Sequence, residues 1–109
     1  MGDEGRQLEP AAEDNPDRLD IVWDEAKLGQ NQTKHGISFG EAATTFSDPL
    51  SVVIDDPEHS FDERRFLIVG ESGGGHLLVV SYTEQSGKIR IISARRATPR
   101  ERSDYEEGR

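Results

Sequence analysis

No cysteine occurs among the 109 residues, which rules out disulfides, thiolate zinc sites and cysteine nucleophiles and makes the reducing cytosol the natural compartment. Long apolar runs are missing too. The longest, Phe66 to Val69 and Leu77 to Val80, are four residues each, against the roughly 20 that a membrane-spanning helix needs. The N-terminus is acidic and lacks an apolar stretch, so it does not read as a secretory signal. Aromatics make up 6% and hydrophobic residues 32% of the chain, equal to its charged share. That composition predicts one small soluble intracellular domain with a modest core and no large internal ligand cavity.

Positive charge is scarce overall and concentrated in one place. The formal net charge is -9. Residues 1–20 hold seven acids, two arginines and two prolines. So polar a segment cannot offset its ordering entropy by burial, and it reads as a disordered acidic tail. Residues 21–109 form the expected domain. Within it, Lys88 to Arg102 carries six of the thirteen Lys and Arg residues and one acid, Glu101. A local cationic stretch can bind phosphate whatever the total charge is.

Periodicity divides the domain into helices first and strands afterwards. Ile21 to Trp23 is β-prone, and Asp24 is a plausible N-cap for a helix from Glu25 to about Lys34, closed at Gly36. Ser38 and Glu41 form a capping-box pattern ahead of Phe39, Ala42, Ala43 and Phe46, which recur at helical spacing until Asp48-Pro49. Four β-prone runs follow, Leu50–Ile54, Arg65–Val69, His76–Thr83 and Lys88–Ala94, the last three joined by connections short enough for hairpins. Thr98-Pro99-Arg100-Glu101 opens a terminal helix. The order β-α-α-β-β-β-β-α predicts an α+β domain with an antiparallel sheet and helices packed on it.

Alternation in the last strand groups Lys88, Arg90, Ile92 and Ala94 against Ile89, Ile91, Ser93 and Arg95, with Ile89 and Ile91 expected in the core. Arg90 then lies on the opposite face, and Arg95 and Arg96 emerge at the strand end. Guanidinium groups match phosphate bidentately and stay charged at physiological pH. Pairing with the chain's surplus acids fits the same spacing. On the first helix Lys27, Asn31 and Lys34 share one polar face at i, i+4 and i+7, with His35 at its end, where it fits either an anion contact or a cation at the helix C-terminus. Glu84, ending a strand, is a candidate base or a polar turn residue. His59 lies in an acidic loop without the spacing of a calcium loop, and Gly73-Gly74-Gly75 lacks the lysine and helix of a phosphate loop. No nucleophile-elbow motif is present.

Taken together, Val22-Trp23-Asp24, Lys27, Asn31, Lys34-His35-Gly36, Ser38-Phe39, Glu41-Ala42, Phe46 and Asp48, followed by Glu63, Arg65, Val69-Gly70, Tyr82-Thr83-Glu84, Arg90 to Arg95, Ala97, Glu101 and Tyr105, resemble the BrnT toxins over about residues 21–107. That resemblance implies a RelE-like fold and the toxin half of a type II toxin-antitoxin pair: a metal-independent ribonuclease that blocks translation by cutting RNA and uses no cofactor. It implies Arg65, Arg90 and Arg95 as phosphate-stabilising cations, Lys34, His35 or Glu84 in proton transfer, and Lys27, Asn31, Arg96 and Tyr105 as substrate contacts. The implied partners are RNA and a BrnA-like ribbon-helix-helix antitoxin, with DNA reached only through the antitoxin complex and no membrane. The acidic balance departs from the basic surfaces usual in RNA-cutting toxins. A non-catalytic module that binds the antitoxin through the basic strand and helix is the alternative, and no helix has the pattern of a direct DNA reader.

Overall fold

The computed structural model describes residues 20–60 and 63–108. The tail reading for residues 1–20 lies outside them, apart from Asp20, which begins the first strand. The elements are β1 (Asp20–Trp23), α1 (Glu25–His35), α2 (Phe39–Thr44), β2 (Val52–Asp55), β3 (Arg65–Glu71), β4 (Leu77–Gln85), β5 (Lys88–Arg96) and α3 (Pro99–Glu106). Short 3₁₀ turns at Thr45–Ser47 and Pro57–His59 flank β2.

Local chemistry accounts for the element ends. The Asp24 carboxylate accepts from the Ala26 and Lys27 N–H groups, and Gly36 closes α1 at φ 71°, a left-handed conformation suited to glycine. Ser38 caps α2 by accepting from Glu41 N–H. Its expected partner does not reach back, because the Glu41 carboxylate is engaged by Ser72 and His76. At α3 both halves of the capping box form between Thr98 and Glu101. Ser86 and Gly87 both have positive φ, as a two-residue hairpin between β4 and β5 demands.

The sheet runs β1-β5-β4-β3-β2. Pairs β2·β3, β3·β4 and β4·β5 are antiparallel, the last two as their short connections predict, whereas β1 lies parallel to β5. The expectation of an antiparallel sheet is thereby corrected to a mixed one. A parallel neighbour needs a long crossover, here supplied by the helices and the meander, and nothing local in Ile21 to Trp23 specifies that pairing.

A second correction concerns β5. Its register against β4 shifts between Ser81 and Tyr82, which face Ser93 and Ile91 and leave Ile92 as an extra residue. Past that bulge the alternation changes sides. Ala94 joins Ile89 and Ile91 in the core, and Arg95 moves to the face that carries Arg90, since their partners Val79 and Thr83 are four residues apart in β4.

One sheet face receives α1 and α2. Ile37, Phe39 and Ala42 pack there on Ile68, Leu78, Val80, Tyr82, Ile89, Ile91 and Ala94. Trp23 meets Phe39 edge-on at 6.1 Å, and Phe46 meets Tyr82 at 5.0 Å. Phe46 keeps its core position although it sits in the 3₁₀ turn after α2. Beyond Trp23 no strand among the described residues pairs with that edge of β5, and Asn31 of α1 takes that place. Its Nδ2 donates to Ile37 C=O and its Oδ1 accepts Ala94 N–H, both at 2.9 Å.

Among the described residues the opposite, open face carries α3 alone, a helix that buries none of its own residues. Two polar clamps hold it. Arg95 donates to both oxygens of Glu101 at 2.8 and 2.9 Å, and the Tyr105 hydroxyl donates to Asp48 Oδ2 at 2.5 Å. Asp48 also accepts from Leu50 and Glu71 N–H. Burial works to raise the Asp48 carboxyl, but these three donors outweigh it and hold it below its ordinary value. The Arg95 hydrogen bonds draw Glu101 down to about 2, and the bond to Asp48 pushes Tyr105 up to about 12.

Replacing Asn31 with alanine strands a buried carbonyl and a buried N–H, so urea unfolding is expected to show a loss of about 2–4 kcal/mol. The clamps also predict a pH signature. Glu101 is depressed from an ordinary 4.5, so its contribution is complete above that value and is lost as pH falls towards about 2. Tyr105 is raised from 10.0 to about 12, so its contribution is complete below 10.0 and disappears as pH rises through about 12. Stability curves of Glu101→Gln and Tyr105→Phe should be flatter than wild type in the acid and alkaline windows respectively.

Candidate functional site

Three rows of side chains cross the open face in register. Val52, Val69, Val79 and Arg95 form the first, Ile54, Leu67, Ser81 and Ser93 the second, and Arg65, Thr83, Arg90 and Val22 the third. The face is therefore apolar towards β2 and cationic towards β5. Arg65 and Arg90 flank Thr83 from the two neighbouring strands, a spacing of about 10 Å between their backbones. Arg65 is half-buried and forms no ion pair among the described residues. Arg90 donates to Glu63. Thr83 is 1% exposed, and its hydroxyl has no hydrogen-bond partner among the described groups. An unsatisfied buried hydroxyl between two guanidinium groups is costly unless something polar reaches it.

A recess of about 240 Å³ opens where α1 passes the edge of β5, lined by Lys27, Gln30, Asn31, Lys34, His35, Ile92 and Ser93. No acid lines it. Its cations project from one helical face, as the i, i+4, i+7 spacing predicts, and the bulge at Ile92 forms its opposite wall. Asn31 is buried, and both arms of its amide are engaged in the backbone contacts that fasten α1 to β5. Ser93 lines the recess and also belongs to the second row of the open face. It joins the two cationic regions. Arg90 and Ser93 are three residues apart on β5, about 10 Å along the strand.

Three residues expected in the same neighbourhood stand elsewhere. Glu84 pairs in register with Ile89, on the helix-covered face, where its charge helps push Tyr82 up to about 12 after burial has done most of that work. Arg96 approaches His76 Nε2 at 3.4 Å, and His76 Nδ1 meets Glu41 Oε2 at 2.6 Å. Tyr105 is committed to Asp48. Arg95 shares the open face with Arg90, but Glu101 occupies its guanidinium. The structure thus brings together Arg65 and Arg90, and separately Lys27, Lys34 and His35. It does not bring Glu84 to the arginines.

Serine, histidine and glutamate do converge at Ser72, His76 and Glu41, though not as a nucleophile relay. The Ser72 hydroxyl donates to Glu41 at 2.5 Å rather than to the imidazole, and both bonds hold the Glu41 carboxyl below its ordinary value. The group ties α2 to the β3–β4 turn. His59 pairs with Asp56 in its loop, and among the described residues no cluster of three or more His, Asp or Glu side chains could hold a metal ion. Nor is any helix among them long and apolar enough to cross a membrane. Sequence reasoning passed over Thr83 and Glu63 as site residues. Alternation along β4 groups Thr83 with Val79 and Ser81, but only pairing shows that an arginine stands on each side of it.

The family model described as the ribonuclease toxin BrnT of type II toxin-antitoxin systems matches residues 23–101. Among solved structures, the chain is similar to the Brucella abortus ribonuclease toxin BrnT, known from a 1.1 Å crystal structure. Identity is 25% and the TM-score 0.58, over 73% of this chain and 97% of that one. No curated protein sequence matches. The matched segment includes α1, the whole sheet from Trp23 onward, the arginine row and the Glu101 clamp, and the chain belongs to the BrnT family of type II toxin-antitoxin ribonuclease toxins.

Proposed function

We propose that the chain is a metal-independent endoribonuclease that blocks translation by cutting RNA, with the Arg65–Thr83–Arg90 row as its phosphate site. The single observation that carries this reading is the pair of arginines flanking an unsatisfied buried hydroxyl on an open sheet face. Two guanidinium groups stabilise the charge that develops on a phosphoryl oxygen, with the buried Thr83 between them as part of the floor beneath. A phosphate entering the row competes with Glu63 for Arg90 and frees a carboxylate beside the reacting centre. Glu63 then takes the proton of the RNA 2′-hydroxyl. The 2′ oxygen attacks the adjacent phosphorus, the bond to the 5′ oxygen breaks, and that leaving oxygen takes a proton from water, while His35 stands with Lys27 and Lys34 in the neighbouring recess. The products are a 2′,3′-cyclic phosphate and a 5′-hydroxyl.

Lys27 and Lys34 hold a neighbouring phosphate in the recess, which opens beside the row at Ser93. Arg95 acts indirectly, by fixing α3 through Glu101, and Arg96 and Tyr105 serve as anchors to His76 and Asp48. Glu84 has no part in this scheme. Family membership implies an antitoxin partner. We place that partner in the ribbon-helix-helix class and assign operator DNA binding to the complex. The engagement of Arg90 by Glu63 and of Arg95 by Glu101 favours a second reading, a non-catalytic module that only binds the antitoxin. It predicts tight complex formation with no RNA cleavage by the wild-type chain.

Expression without antitoxin is expected to arrest growth, and Arg65→Ala or Arg90→Ala should relieve the arrest and lower cleavage in vitro by about 100-fold or more. Wild-type cleavage should persist in EDTA and leave cyclic phosphate ends. Inert wild-type protein at confirmed soluble expression, or unchanged cleavage by both variants, sinks the reading. For RNA binding, Lys34→Ala should reduce the slope of log K against log salt by about 0.7, the value for one lost single-strand phosphate contact. An unchanged slope removes Lys34 from the interface.

A further inference from the structure

The open face holds a second feature, separate from the arginine row. A groove of about 320 Å³ runs between α3 and the β2 side of the sheet, floored by Val52, Ile54, Leu67 and Val69 and bounded by Asp104 and Tyr105. Its floor is incompletely covered, because α3 is held by polar clamps at Glu101 and Tyr105 and buries no side chain of its own. Ile54 is 50% exposed on β2, which is the edge strand of the sheet. Apolar surface of this kind, rimmed by polar groups and beside an unpaired strand edge, marks a docking site.

Charge selects the occupant. Neither Asp104 nor Glu71 has an ion-pair partner among the described residues. Glu71 lies on the same face, at the end of the strand that carries Leu67 and Val69, and is the least of the influences that raise Tyr105. A second copy of this chain would bring another -9 to an acidic rim, and residues 1–20 would bring seven acids against two arginines. Both are repelled. We propose that the antitoxin seats an apolar segment flanked by Lys or Arg side chains in this groove, its apolar residues on Val52, Ile54, Leu67 and Val69 and its basic flanks beside Asp104 and Glu71. The first two rows of the open face run from this floor to Arg95 and Ser93. An occupant extending along them covers the way to the arginine row, so docking and neutralisation become one event. The inference rests on the antitoxin partner of the proposed function and is independent of its RNA chemistry.

The test titrates the purified protein encoded by the adjacent antitoxin reading frame into the full chain by calorimetry, with no RNA present. Ile54→Lys and Asp104→Lys are each expected to weaken binding by at least about 30-fold, the scale of an interface hot spot. Val53→Lys, on the same edge strand but in register with the helix-covered face, should stay within about twofold of wild type. Circular dichroism checks each fold, and Ile54→Thr with Asp104→Asn replaces any variant that unfolds, with the same direction expected. Wild-type affinity in both groove variants overturns the proposal. So does a free chain that sediments as a dimer dissolved by Ile54→Lys, or antitoxin affinity that rises when residues 1–19 are removed, since either assigns the groove to another occupant. A chain that cleaves no RNA yet loses antitoxin binding in the groove variants refutes the ribonuclease reading and supports this one.

Discussion

One extra residue in β5 organises both faces of the sheet. Ile92 interrupts the alternation begun by Ile89 and Ile91, and the strand resumes with its sides exchanged. Ala94 can then enter the core with no loss of apolar contact, while Arg90 and Arg95 share the open face. Without the bulge one of those arginines would lie against the apolar helices, where an unpaired guanidinium is strongly disfavoured. The same irregularity leaves Ile92 and Ser93 at a strand edge that β1 is too short to cover. Asn31 satisfies Ala94 there and positions α1, and with it Lys27, Lys34 and His35, along the margin of the cationic face.

The acidic net charge is compatible with a phosphate site once the charges are placed. Glu63 and Glu101 engage Arg90 and Arg95, while Arg65, Lys27 and Lys34 form no ion pair among the described residues. Net charge sets long-range steering, whereas affinity at contact depends on which groups converge and how far they are desolvated. The chain divides these jobs across its open face. Apolar residues and unpaired acids lie towards β2, guanidinium groups towards β5, and α3 stands between them on polar clamps.

Element identity was legible because it depends on neighbours in sequence. The caps at Asp24, Ser38 and Thr98, the stop at Gly36 and the helical spacing of Phe39, Ala42 and Ala43 are short-range signals, and each falls where it was expected. The β4–β5 hairpin follows from a two-residue turn that Ser86-Gly87 can supply. Candidate residues were legible only as residue types: Arg90, Lys34 and His35 stood out although ion pairing, a solvated helix face or a helix C-cap fitted them as well, and Arg65 came in through the family resemblance. Their grouping was not. Glu84 seemed near the arginines because it precedes them closely in sequence, yet pairing with Ile89 places it on the other face. Tyr105 and Asp48, 57 residues apart, meet only because α3 folds back across the sheet.

The sequence by itself determined the order of helices and strands, the exclusion of disulfide and thiolate chemistry by the absence of cysteine, and a supply of cations in Lys88 to Arg102 and on α1. These follow from local sterics, hydrogen bonding and periodicity, which act within a few residues. Only the tertiary structure decided that β1 runs parallel to β5, that Ile92 bulges, that Thr83 lies between Arg65 and Arg90, and that an apolar floor beside α3 stays partly open. Each of those is a pairing between segments distant in the chain, set by how the sheet closes over one core, and no periodicity within a segment encodes its neighbour.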